Sequence, residues 1–247
     1  MVRIDPARLR RVLVATIVLL AALDVVFAVT FVVWDHQADL GVVSRLYLDH
    51  EQSLGTLAAI VLLTLAGGLA LVAAAAEPSR RRGWLLVAAL LLLVGADEVL
   101  ALHERASAEL QIRLDLHGAL FFAWVLPGLA LAAVVVVVLR PFVASFPAAT
   151  RRAFVVGGAL YLAGAAGVEM LGGMESDAGR EGPFVRYQAL VLVEEVLELS
   201  GVATLGVGMA QHLGQAGVQL KVEFAAAQPA TAATTSATDD TSDGARS

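Results

Sequence analysis

Apolar residues in this chain fall into six long blocks separated by short polar stretches. The blocks run roughly Val12–Trp34, Leu54–Ala76, Trp84–His103, Ala119–Leu139, Ala153–Met174 and Tyr187–Leu213. A hydrocarbon layer about 30 Å thick takes about 20 apolar residues as helix. Each block therefore predicts a membrane-spanning helix, and the expected fold is all-α: a polytopic six-helix transmembrane bundle. Arg3, Arg8, Arg10 and Arg11 precede the first block, as in a signal peptide. Its apolar run is far longer than the roughly 7–15 residues of such a segment. No small-residue cleavage site follows, only Trp34-Asp35-His36, so it reads as a retained span. The pattern stops at residue 223. Residues 223–247 are mostly Ala, Thr, Ser and Asp, too poor in bulky apolar groups to bury a core. A disordered, acidic, cytoplasmic tail is expected there, behind a membrane domain of residues 1–222.

Composition agrees with the pattern. The chain is 58% hydrophobic and 16% charged, where soluble domains are about 45–50% apolar and about 25% charged. An ordinary soluble enzyme is excluded. The net charge of -6, with basic residues spread over several loops, excludes a nucleic-acid partner. The partner implied is the lipid bilayer. The absence of cysteine removes disulfides, thiolate metal sites, cysteine-ligated clusters and cysteine nucleophiles.

Basic residues also set an orientation. With the N-terminus inside, twelve of the seventeen Lys and Arg residues fall in inner segments or the tail, and five in outer ones. Six spans then put both termini in the cytoplasm of a multi-pass cell-membrane protein. Trp34 and Tyr187 would sit at the outer interface and Trp84 at the inner one. Gly67-Gly68, Gly157-Gly158 and the Gly201, Gly206, Gly208 series read as places where helices approach closely. Pro127, inside the fourth block, predicts a kink.

Chemistry is carried by acids in or beside the spans: Asp24, Asp97, Glu98, Glu104, Glu169, Glu194, Glu195 and Glu198. An acid at mid-bilayer costs about 2.5–3.5 kcal/mol even on lenient insertion scales. No Lys or Arg lies within a span to offset this. Protonation, histidine, water or a metal ion must compensate. At 1.5 Å per residue, Asp97 lies about 10 Å and Glu169 about 6 Å below the outer face, and Glu194 and Glu198 about 10 and 16 Å deep. Asp24 lies nearer the midplane. His36, His50, His103 and His117 fall on the outer side, and His212 on the inner. His36 and His50 read as loop residues, while His103 and His117 are the better ligand candidates. On a continuous helix Asp97 and Glu104 share a face, with Glu98 and His103 turned to either side. Glu194, Glu195 and Glu198 form one stripe.

Carboxylates and imidazoles without thiols suit iron, manganese or zinc. A divalent metal held among Asp97, Glu98, His103, Glu104, His117, Glu169, Glu194, Glu195 and Glu198 is therefore one expectation. The Asp97-Glu98-x4-His103-Glu104 and Glu194-Glu195-x2-Glu198-x2-Gly201 motifs, with Glu169 between them, resemble a group of uncharacterised prokaryotic multi-span membrane proteins. The resemblance covers the third to sixth spans and implies no established activity. Two functions remain open. One is a metal-dependent membrane enzyme acting at the outer leaflet on a lipid or other apolar substrate. The other is a proton- or cation-coupled transporter using the same acids as a relay. A transporter needs polar residues continuing inward, where only Asp24, Thr16, Thr64 and Thr204 are found below the acid layer; this leans the reading toward the metal enzyme. No Gly-x-Ser-x-Gly or Walker motif is present.

Overall fold

The computed structural model describes residues 5–33, 53–180 and 185–218. Eight α-helices lie among them: α1 Pro6–Val33, α2 Leu54–Ala76, α3 Arg81–Leu100, α4 Leu102–Leu114, α5 Val125–Ala144, α6 Ala148–Leu162, α7 Glu169–Asp177 and α8 Val185–Gln215. A π-helical turn, Ala163–Val168, joins α6 to α7. No strand occurs among the described residues. His36, His50, Trp34 and the expected tail lie outside them.

Among the described residues four helical stretches are long and apolar enough to cross a membrane: Leu54–Ala76, Pro78–Leu100, Val125–Ala144 and Ala148–Asp177. Six were expected. α8 has the length, with 31 residues, but its three glutamates dilute its apolar character.

Two helix pairs form most of the bundle, and α8 ties them together by packing on α1, α2, α6 and α7. In the first pair α2 buries Ala59, Leu63, Ala66, Ala70 and Ala73, a 4-3-4-3 spacing that keeps one narrow stripe against a partner. The stripe meets Val87, Ala88, Leu91 and Gly95 of α3. Ser53 caps α2 by accepting the Thr56 N–H at 3.1 Å, which satisfies one otherwise unpaired first-turn donor. In the second pair α6 and α8 run antiparallel along their glycines. A Cβ at Gly157 would lie 2.8 Å from the Gly201 carbonyl oxygen, and one at Gly201 would lie 2.7 Å from the Gly157 oxygen and the Tyr161 nitrogen. The helices touch backbone to backbone there, as small residues permit. Gly158 faces open space.

Three expectations are corrected. The third block does not continue as one helix through His103. Ala101 adopts a left-handed conformation, φ 48°, which ends α3 and starts α4 in a new direction. The fourth block begins at Val125 rather than Ala119 and extends to Ala144. Pro127 then falls in the first turn of α5, where its missing N–H costs nothing, and the interior proline is Pro141. Trp84 is fully buried rather than interfacial, with its indole N–H bonded to Glu77 at 3.1 Å.

Candidate functional site

Three segments bring the acids together: the end of α3, the π turn with α7, and the first half of α8. The close α6–α8 crossing sets the last two against each other. A Cβ at Gly164 would lie 2.8 Å from both the Glu194 carbonyl oxygen and the Glu198 Cγ, so the glycine leaves room for the Glu198 side chain. The π turn shifts the helical register before Glu169. One extra residue rotates whatever follows by about 100°.

The resulting contacts form a connected set. The Glu194 carboxyl faces that of Glu169. Two ionised carboxylates so placed would repel one another. Glu169 also accepts the Trp124 indole N–H at 2.9 Å. The Trp124 ring stands edge-on to His103, with centroids 5.2 Å apart. His103 Nδ1 lies 2.7 Å from the Asp97 carboxylate, which also accepts the His103 backbone N–H at 3.1 Å. On the other side Glu198 faces Tyr161. Glu195, Glu98 and Glu169 lie within electrostatic reach of Glu198.

The left-handed Ala101 explains why the helical wheel misplaces two residues. His103, turned away on a continuous helix, swings back onto Asp97 and lets that carboxylate cap the first turn of α4. Glu104, expected to share the face of Asp97, is exposed. His117 does not join the acids either. It is exposed, with Nδ1 2.9 Å from Asp177 and Nε2 3.6 Å from Asp115. The Asp177 bond, with the charges of Asp177 and Asp115, raises the His117 imidazole above its ordinary range. Asp97, Glu98, His103, Glu169, Glu194, Glu195 and Glu198 thus share one region, and His117 is bound instead to Asp177. Among the described residues no group of three or more His, Asp or Glu side chains is disposed to hold a metal ion. Asp24 is fully buried in α1.

Tyr161 and Trp124 are participants that the sequence did not single out. Aromatic residues in apolar helices are common, and nothing local marks these two.

A second polar group lies at the far end of α8. His212 is buried there, with Nε2 2.6 Å from Glu77 and Nδ1 3.4 Å from the Thr150 hydroxyl. Glu77 also accepts from Trp84 and, at 3.2 Å, from Arg80. Burial alone would raise the Glu77 carboxyl, but the bonds from Trp84, His212 and Arg80 outweigh it and hold the group below its ordinary range. Fourteen residues separate Glu198 from His212, which is about 21 Å along the helix.

A family model described as a domain of unknown function, DUF8692, matches residues 12–211. No curated protein and no solved structure matches the chain. The matched segment takes in both pairs of packed helices and every acid of the site, and the chain belongs to the DUF8692 family.

Proposed function

We propose that this chain is an integral membrane protein whose buried carboxyls carry protons, and that it works as a proton-coupled transporter. The observation that carries this reading is the placement of the Glu169, Glu194 and Glu198 carboxyls beside one another. Acids in a membrane interior are costly unless neutralised, and a proton held between Glu169 and Glu194 would lessen the cost. Groups that share a proton are equipped to pass one on. The neighbouring Tyr161 hydroxyl and the Glu195 and Glu198 carboxyls extend the set. A second polar group, His212 with Glu77, lies toward the other end of α8, where the sequence alone offered little.

In this reading the chain has six spans, formed by α1, α2, α3, α5, the α6–α7 unit and α8. The arginine bias places both termini in the cytoplasm, with the acids toward the outer face. The test is proton movement into vesicles containing the purified full chain and a trapped pH dye. The expected result is proton uptake that falls at least tenfold in Glu194→Gln and is indifferent to chelators. Stoichiometric metal in the purified protein, with no proton movement, would favour the metal-dependent enzyme instead. Reporter fusions at Glu77 and Ser145 should score inside, and at Glu109 outside.

A further inference from the structure

At the end of the bundle where α3 begins and α5 finishes, an open groove separates the two helices. It has a volume of about 820 Å³ and runs from Ser79, Arg80 and Arg82 down to Leu86, Val138 and Leu139. Its length is polar at one end and aliphatic at the other. Leu86 lies one helical turn beyond Arg82, and Val138 one turn before Phe142. Phe142 closes the floor by resting on Gly83, where a Cβ would collide with the ring.

Charge at the polar end is uneven. Arg80 is partly balanced, since it bonds Glu77 and, through Nε and Nη2, Ser145. Arg82 is exposed, and among the described residues no ion pair with an acid holds it. Arg81 and Arg140 sit at the same ends of the same two helices. The apolar walls are bare because α5 is so little covered. Only 6% of its apolar stretch is buried in the protein, against 33% for α2.

We infer that this groove binds an anionic phospholipid, with the headgroup phosphate at Arg82 and Arg80 and an acyl chain along Leu86, Val138 and Leu139. Guanidinium groups match phosphate geometry. Basic pockets between membrane helices are suited to anionic headgroups, and the aliphatic walls suit a chain that a soluble anion lacks. The inference rests on the helices lying in a bilayer and not on what the acids do.

Native mass spectrometry of the full chain in detergent tests it. Phosphatidylglycerol and phosphatidylcholine with identical acyl chains are added separately. Phosphatidylglycerol should be retained about fivefold better, and Arg82→Gln should abolish most of that preference, as expected for loss of one basic group near a headgroup. Leu86→Trp, which fills the aliphatic end, should lower retention of the lipid while leaving the fold intact. Arg113→Gln, at the other end of the molecule, should change nothing, and excess inorganic phosphate should not displace the lipid. Equal retention of both lipids, an Arg82→Gln effect no larger than that of Arg113→Gln, or displacement by phosphate would each overturn the inference. A dimer that Leu86→Trp dissolves would make a second copy the occupant and overturn it too. If neither lipid is retained and the chain also fails to float with vesicles, the membrane reading itself falls.

Discussion

Glu77 shows how one side chain can hold several helices. It follows the last residue of α2, yet it accepts bonds from Trp84 of α3 and His212 of α8 as well as from Arg80. Its carboxyl is held below its ordinary range, so its contribution is present above the unfolded-state value of about 4.3 and is lost as pH falls through the lowered folded value. Thermal stability should therefore drop on acidification below about pH 4.3, and Glu77→Gln should flatten that part of the curve. Truncation of the partner, His212→Ala, should cost roughly 2–3 kcal/mol at neutral pH, because it leaves a buried charge with one bond fewer. A Tm series against pH for the three proteins checks both. Neither Glu77 nor Trp84 could be assigned this role from sequence, because each stands where interfacial residues are normal. The acids were easier to read. Their cost in an apolar helix is independent of context, so Asp97, Glu98, Glu169, Glu194, Glu195 and Glu198 stood out before any geometry was known.

At the scale of the helix, apolar runs marked α2 to the residue and misplaced α5. Hydropathy reports what a segment can be dissolved in, and not whether it is helical. Phe121 and Phe122 are as apolar as a span, but they lie outside any α-helix and cover Gly173 of α7. The break at Ala101 was equally hidden. Alanine is the best helix former, and the left-handed turn is accompanied by the pairing of Asp97 with His103 across it. The glycines of α6 and α8 were legible as sites of close approach, though which ones touch was not. Their contacts separate them sharply. Gly201→Ala would drive a methyl into backbone atoms that cannot yield, and should cost about 1–3 kcal/mol. It should also part Tyr161 from Glu198. Gly158→Ala meets nothing within 4 Å and should be neutral or stabilise by up to about 1 kcal/mol. Denaturation of the two variants in the same detergent distinguishes them, and similar midpoints would show that the crossing is looser than described.

Across the whole molecule, burial is unequally shared. α8 packs against four helices, and α5 touches little besides α6, the π turn and the aromatic group around Trp84. A helix in that position owes its place to the surrounding solvent more than to its neighbours. Natural variation should record the difference. Along the middle of α5, from Leu129 to Val138, any exchange among Leu, Ile, Val, Phe and Ala should be accepted, and selection should act on bulk hydrophobicity alone. On α8 the same exchanges at Val191, Leu199 or Met209 should be rejected one by one. A saturation-mutagenesis scan scored by the amount of folded protein would show α5 as the most permissive of the membrane-length helices. Its rate of sequence divergence would then be a record of the lipid it faces, while that of α8 would be a record of the protein.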